Sequence, residues 1–169
     1  DAGFWLVHTA DGNLHLYGKR NSAKLFPAHA PAKVAEWLLE ETVSPTGEHI
    51  LYEYQTEDGR NLPTDDERDH STQRYLTRVR YGNLSAHKPL YLWDESTLPQ
   101  QWHFDLVLDY GERATDQDAI PSYAISQPWP LRPDPVSSFA YGFEVRTLRR
   151  CQQVLMFHAF DELGAAPLL

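Results

Sequence analysis

Two carboxylates on one predicted strand are the first candidates for chemistry. Asp105 and Asp109 lie four residues apart in the segment WHFDLVLDY, whose alternation predicts a strand over residues 102–110. Paired carboxyl groups that hydrolyse glycosides lie about 5–9.5 Å apart. In a strand the Cα atoms of these two residues are roughly 13 Å apart, unless their side chains lean together. We therefore expect an outward polar face there. The opposite, buried face would consist of Trp102, Phe104, Leu106, Leu108 and Tyr110.

Aromatic side chains leave a binding function of another class open. The chain holds nine Tyr, seven Phe and five Trp. A carbohydrate-binding module would need at least two Trp or Tyr rings exposed in a coplanar row. Burial of all five tryptophans would exclude a carbohydrate-binding module. The five tryptophans are Trp5, Trp37, Trp93, Trp102 and Trp129.

An acidic segment, Gln55–Thr72, interrupts the strand pattern. It has almost no apolar residues, so we expect a solvated, mobile loop. Its oxygen ligands suit Ca²⁺, but the alternate-residue spacing and terminal Glu of a calcium loop are missing. A solvated run of charge is the favoured interpretation. The acids are Glu57, Asp58, Asp65, Asp66, Glu67 and Asp69.

The histidines and the single cysteine show no metal-ligand spacing. No His-Glu-x-x-His pair occurs, and Cys151 has no partner thiol, so we expect no zinc, no other cofactor and no internal disulfide. One unpaired thiol fits folding in a reducing cytosol. A pH-sensing role is conceivable for His103 and His158, both on predicted strands. The eight histidines are His8, His15, His29, His49, His70, His87, His103 and His158.

Composition bounds the remaining function classes. The chain has 169 residues, enough for one domain, which we take as a single β-rich module over residues 1–169. Its net charge of −9 argues against a nucleic-acid partner. No apolar run approaches the roughly 20 residues of a membrane helix, and no signal sequence is recognisable. The abrupt start at Asp1, with a strand two residues later, suggests a fragment of a much larger protein.

The periodicity predicts a mainly β fold, an antiparallel sheet of successive hairpins with long loops and at most one short helix. Asp11-Gly12 between apolar runs predicts a hairpin of residues 3–8 with 14–18. Further strands are expected over Arg74–Tyr81 and Leu90–Trp93. The prolines of residues 114–135 predict an extended, irregular connection.

Residues 32–43 fit two patterns. Trp37, Leu39, Glu41 and Val43 alternate as in a strand, and the Ser44–Gly47 turn favours a hairpin with His49–Tyr54. A short helix over residues 33–40 is the competing interpretation.

The segment Phe139–Phe160 predicts a hairpin of two strands joined near Arg149–Arg150. Its second strand is apolar on both faces, so we expect it to be covered on two sides.

Several separated blocks resemble one family. The segments GFWLVHTADGNLHLYGK, AEWLLEETVSPTGEHILYEYQ, QRYLTRVRYGN, FDLVLDYGER and YGFEVRTLRRCQQVLMFH look like the SpvB-type region of the B component of insecticidal toxin complexes, and like the N-terminal region of SpvB-like virulence proteins. The resemblance runs in order over residues 3–164. The segment WLLEETVSPTGEHILYEY also resembles a strand-turn-strand unit of Rhs/YD-repeat proteins.

The resemblance implies a secreted or host-delivered bacterial toxin, made in the cytoplasm. In toxin complexes, the B and C components form a β-sheet shell around a cytotoxic region, which the A component delivers. In SpvB-like proteins, a similar region precedes an ADP-ribosyltransferase domain. The implied function is a non-catalytic wall segment whose partners are other segments of the same polypeptide and the C and A components. The alternatives are a carbohydrate- or receptor-binding module, or a region accompanying a transferase domain.

One short motif could indicate ADP-ribosyltransferase chemistry within the chain itself. Gln55-Thr56-Glu57 is its only Gln-x-Glu sequence, and no Ser-x-Ser strand accompanies it. A solvated strand end is the better account, so we expect no enzymatic activity and name no catalytic, cofactor or metal residue. The arginines Arg78, Arg80, Arg146, Arg149 and Arg150 either pair with a neighbouring segment of the shell or are ordinary surface charge.

Overall fold

The computed structural model describes residues 3–63, 65–113, 120–164 and 167–169. The predicted mainly antiparallel β fold is confirmed, and no helix of the described ranges reaches seven residues. The strands are β1 Trp5–His8, β2 Leu14–Tyr17, β3 Lys24–Leu25, β4 Glu36–Trp37, β5 Leu39–Val43, β6 His49–Thr56, β7 Arg74–Asn83, β8 Trp102–Asp109, β9 Val136–Ser138, β10 Val145–Thr147 and β11 Gln153–His158. Single-turn 3₁₀ helices lie at Asn21–Ala23, Tyr91–Trp93, Glu95–Thr97 and Asp161–Leu163.

Seven strands form the main sheet, in the order β1-β2-β5-β6-β7-β8-β11, with every neighbouring pair antiparallel. Two small antiparallel sheets, β3–β4 and β9–β10, accompany it. Short turns join β1 to β2 and β5 to β6, whereas longer connections join the other neighbouring strands. Two strands, β1 and β11, are left at the edges of the main sheet.

The first two predicted hairpins are confirmed, whereas the one over Phe139–Phe160 is wrong. The Asp-Gly turn joins β1 to β2, with His8 opposite Leu14. Residues 36–43 are extended rather than helical, and β5 pairs with β6. The turn between them closes where the Gly47 amide donates to the Ser44 carbonyl at 3.0 Å.

The predicted strand Leu90–Trp93 is wrong, because Tyr91–Trp93 is a 3₁₀ turn. The fully buried carboxylate of Glu41 accepts the amide N–H groups of Tyr91 at 2.8 Å and Leu92 at 2.9 Å. In a β-ladder, the N–H groups of successive residues point to opposite sides of the strand. Two successive N–H groups that donate to one carboxylate therefore require a turn. The turn contributes to the main core cluster of Leu16, Val43, Leu51, Leu90, Tyr91, Leu92 and Trp102.

The strands predicted within Phe139–Phe160 exist but do not pair with each other. Strand β10 pairs with β9 in a small sheet, whereas β11 pairs with β8 at the edge of the main sheet. The chain crosses between the sheets at Leu148 and Arg149, whose amides both donate to the hydroxyl of Tyr75. The expectation that β11 is covered on both faces is also wrong, because Val154 is 58% exposed while Phe157 is buried.

The acidic segment is not uniformly solvated. Glu57 is only 4% exposed and lies against Arg149, which is 2% exposed. Arg149 donates through Nε to Glu57 Oε2 at 2.8 Å and through a second nitrogen to the other carboxylate oxygen. It also donates to the carbonyls of Trp129 at 2.7 Å and Arg60 at 2.8 Å. This ion pair ties the end of β6 to the crossing between β10 and β11.

The middle of β8 differs from expectation, whereas Trp102 and Tyr110, at the ends of the predicted strand, are buried as predicted. Asp105, Val107 and Asp109 on its predicted polar face are buried. Phe104 and Leu106 on its predicted core face are only half-buried. Charges are tolerated on the covered face because Asp105 pairs with Arg78 at 3.3 Å.

We predict that Arg149→Met destabilises the chain by about 3–5 kcal/mol, because it leaves the carboxylate of Glu57 buried without its cation. Urea unfolding followed by tryptophan fluorescence measures the loss. The double variant E57M/R149M should recover most of it, since two apolar side chains fill the same space without a charge.

Arg150→Met is the matched control, because Arg150 is exposed. It should shift stability by less than about 0.5 kcal/mol. Equal effects of R149M and R150M would show that the buried pair contributes nothing.

The turn before β6 gives a second prediction. Gly47 has φ +86°, and a Cβ there would lie 2.8 Å from the backbone nitrogen of His87. Gly142 has a similar φ of +78° with no atom within 4 Å of such a Cβ. Gly47→Ala should therefore cost about 1–3 kcal/mol more than Gly142→Ala in urea unfolding, since both carry the backbone strain but only Gly47 carries the clash. Equal losses would contradict this.

Candidate functional site

The two aspartates proposed as an acid pair serve separate structural roles. Asp105 accepts a hydrogen bond from the hydroxyl of Tyr123 at 2.6 Å and forms an ion pair with Arg78. Asp109 accepts hydrogen bonds from the backbone amides of Gly111 at 3.0 Å and Glu112 at 3.1 Å. These bonds stabilise the turn that follows β8. Neither carboxylate is arranged with the other around a space for a substrate, so the glycosidase arrangement is absent from these residues.

A cluster of buried titratable groups lies beyond β8. Burial acts to raise the pKa of Asp109, but hydrogen bonds from the Gln153 amide and the backbone outweigh it and leave that pKa below its usual range. Burial, with the neighbouring Asp109, raises the pKa of Glu112. Arg113 Nη1 donates to Glu112 Oε1 at 2.6 Å. Catalytic acid–base sites contain pairs of titratable groups in which the pKa of one group is raised and the pKa of the other is lowered. Here, however, Asp109 is 0% exposed and Glu112 is 4% exposed, so a substrate cannot reach them.

A histidine and a carboxylate form one buried dyad. His49 Nδ1 lies 2.7 Å from Glu41 Oε1, the geometry in which a carboxylate orients a catalytic imidazole. The other ring nitrogen, Nε2, lies 2.5 Å from the carbonyl oxygen of His87. A general base needs that nitrogen free for substrate, so the dyad holds the segment around His87 in place instead.

Metal-ligating side chains do not converge in the described residues, where no group of three or more His, Cys, Asp or Glu is placed to hold an ion. Within the acidic segment, Asp66 binds Arg68 Nη2 at 2.6 Å and lies 3.2 Å from His70 Nε2. Asp58 lies 3.1 Å from Arg60 Nε. Four of the five arginines considered above also have partners within this chain: Arg78, Arg80, Arg146 and Arg149.

The first strand is exposed along its whole length. Phe4 is 46% exposed, Trp5 59%, Leu6 39% and Val7 42%. Strand β1 has a neighbour on one side only, and residues 3–8 carry no Asp, Glu, Lys or Arg. Edge strands that resist association carry charges, prolines or bulges. Residues 3–8, which we call the uncharged edge, lack these charges and prolines.

One face of the main sheet is also incompletely covered. Tyr52, Val79, Leu106 and Met156 lie opposite one another across four strands, and all are half-buried. We call this row the open face. Leu51, Val107 and Leu155 on the other side of the sheet are buried.

The exposed tryptophans each stand edge-to-face with a neighbouring ring, unlike the coplanar rings of a sugar platform. Trp5 is 59% exposed and Trp93 is 46% exposed, so the condition that all five are buried is not met. The Trp5 ring stands at 84° to Trp37, and the Trp93 ring stands at 65° to Phe4. Edge-to-face pairs of this kind stabilise a cluster rather than present a flat surface.

The uncharged edge could have been found from the sequence, because FWLV at a predicted first strand has no gatekeeper residue. The open face could not, since alternation does not say which side of β8 is covered. The described part of the chain has no helix long and apolar enough to cross a membrane.

Comparisons with known proteins agree with this architecture. Residues 1–160 match the family model described as Salmonella virulence plasmid 65kDa B protein. The mono(ADP-ribosyl)transferase SpvB of Salmonella typhimurium is 48% identical over an alignment 170 positions long, which covers 98% of this chain and 29% of that protein. The chain therefore spans less than a third of the curated relatives it matches.

Solved structures share the fold. The N-terminal domain of effector protein SpvB from Salmonella typhimurium strain LT2 matches with a TM-score of 0.90 and 47% identity, over 98% of this chain and 53% of that one. The TcdB2-TccC3 structure matches with a TM-score of 0.88 and 40% identity, over 95% of this chain and 8% of that one. The Photorhabdus luminescens Tc holotoxin pore matches with a TM-score of 0.89 and 38% identity, again over 8% of its chain.

The expected resemblance to SpvB and to the toxin-complex B component is thus confirmed, and the chain belongs to the SpvB family.

Proposed function

We propose that the chain is a non-catalytic wall segment of a longer toxin protein, covered in its parent by further strands of the same polypeptide. The uncharged edge of β1 carries the proposal. Trp5, Leu6 and Val7 expose apolar surface and unpaired backbone groups together, which a free-standing domain avoids. The open face adds a second apolar surface, on strands β6, β7, β8 and β11.

The reactive residues support a structural role. The buried carboxylates of Glu41, Glu57 and Asp109 each accept several hydrogen bonds from the chain itself. Such groups stabilise the fold and are not presented to a substrate. We infer that catalysis belongs to another part of the parent protein.

The relatives supply two settings for such a segment. In the TcdB2-TccC3 structure, the matching region is 8% of a long chain, which fits a segment of a shell or carrier around a cytotoxic effector. In that setting the partners include the C and A components. In the SpvB proteins it is 29% of a mono(ADP-ribosyl)transferase, which fits an accompanying N-terminal region. Either parent is a secreted or host-delivered bacterial toxin, and Rhs/YD-type repeats following the chain would favour the first.

If β1 is normally covered, the 169-residue chain alone should self-associate. We expect its mass-average molecular weight in sedimentation velocity to rise with protein concentration. Val7→Lys should reduce this association, because a lysine on an edge strand opposes further pairing.

Leu84→Lys is the matched control, because Leu84 is a comparable exposed apolar residue outside β1, at 56% exposure. It should leave the association unchanged. A chain that is strictly monomeric at high concentration, or equal effects of V7K and L84K, would count against the wall-segment role.

The non-catalytic assignment predicts no transfer chemistry. The chain incubated with labelled NAD and a mixture of candidate protein acceptors should transfer no label, since Glu57 of its only Gln-x-Glu sequence is bound to Arg149. Scintillation counting of the precipitated protein measures the transfer. Reproducible labelling that Glu57→Gln abolishes, in a variant that remains folded, would overturn the assignment.

A further inference from the structure

A cavity of about 390 Å³ lies where the three sheets meet. Strands β6 and β7 of the main sheet, the β3–β4 sheet and the β9–β10 sheet all contribute to its wall. The lining is mostly apolar, with a few polar groups. It comprises Leu25, Glu36, Leu38, Tyr54, Gln73, Arg74, Leu76, Val136, Ser138, Tyr141, Val145 and Thr147.

Arg74 is the cation of this cavity, and it is only 9% exposed. Its Nε donates to the carbonyl of Asn21 at 3.3 Å, and its Nη1 donates to the carbonyls of Ser71 at 2.5 Å, Thr72 at 3.2 Å and Gln73 at 3.2 Å. The guanidinium also lies over the ring of Phe26, 5.1 Å from its centroid. No acidic side chain within the described ranges forms an ion pair with it. Nη2, the remaining guanidinium nitrogen, has no hydrogen bond to those residues.

The other buried arginines show how unusual this is. Arg149 and Arg113 each bind a carboxylate directly, at Glu57 and Glu112. Carbonyl oxygens satisfy hydrogen bonds of Arg74 but do not neutralise its charge. Burying a cation without an anion is costly. Consistent with that cost, burial lowers the pKa of Arg74, opposed by the charge of Asp69.

The neighbouring polar groups are suited to an anion. Thr147 Oγ1 accepts from Gln73 Nε2 at 2.7 Å, which leaves its own hydroxyl proton to donate. Ser138 supplies another hydroxyl at the exposed side of the cavity. Leu25, Leu76 and Val145 provide apolar wall for a hydrocarbon body.

One acidic residue in the lining would repel an anionic ligand, and it therefore restricts where the charge of the ligand can lie. Glu36 lines the cavity and accepts a hydrogen bond from the hydroxyl of Tyr141, which is 44% exposed. The cavity therefore has a buried cationic side at Arg74 and an acidic group beside its exposed rim. A ligand with one terminal charge would place that charge at Arg74, away from Glu36.

We propose that this cavity binds a small organic anion, a carboxylate carried on a short apolar stem, with Arg74 as its counter-charge. The site does not depend on the proposed structural role of the chain, since no residue of β1 lines the cavity.

Isothermal titration calorimetry of the chain with octanoate tests the site. Octanoate should bind with one saturable site, and octanol should bind about tenfold or more weakly, because it cannot form a charge-assisted hydrogen bond. Absence of saturable octanoate binding, or equal affinity for octanol, would overturn the proposal.

Variants locate the binding. Ser138→Trp fills the cavity from its exposed side and should abolish binding, while Val154→Trp, on the exposed edge strand β11, should not change it. Glu36→Gln should strengthen octanoate binding several-fold by removing the opposing charge. Arg74→Gln should weaken it, if circular dichroism shows that the variant folds. Unchanged affinity in folded S138W would show that octanoate binds elsewhere.

Discussion

The buried ion pair between Arg149 and Glu57 is the constraint on which the arrangement of sheets depends. It joins the end of β6 to the crossing that separates β10 from β11. The same guanidinium binds the carbonyls of Trp129 and Arg60, so it also fixes two irregular segments. Without this tie the chain after β10 could return as a hairpin. With it, the chain crosses to the far edge of the main sheet and pairs with β8.

Sequence reasoning succeeded where structure is local. Asp11-Gly12 and the turn at Ser44–Gly47 specify their hairpins through short-range chemistry, and alternation identified β5, β6, β7 and β8 as strands. It failed for Leu90–Trp93, where the deciding partner, Glu41, lies about fifty residues away. No local pattern shows that one carboxylate will bind two successive amides. The pairing of β11 failed for a similar reason, since Arg149 and Glu57 are distant in sequence.

The unexpected burial of the polar face of β8 has a more general cause. Asp105 and Asp109 made one face look solvated, although Arg78, Tyr123, Gln153 and local amides satisfy them there. Alternation measures the polarity of two faces, but burial depends on which face another element covers. A polar face whose charges are paired within the chain can be covered, and the apolar face is then left half-open. The open face therefore could not be predicted from the sequence, whereas the uncharged edge FWLV could be.

These two outcomes together argue for association rather than chemistry. Catalysis needs titratable groups that are both activated and accessible. In the described residues, Glu41, Glu57, Asp109 and His49 are held by internal partners and are almost fully buried. The features left exposed or without a counter-charge are of another kind: the backbone edge and apolar side chains of β1, the open face, and the guanidinium of Arg74, which binds carbonyls but no carboxylate in the described residues. Features of this kind can bind a surface or an ion, which is consistent with the proposed wall-segment role.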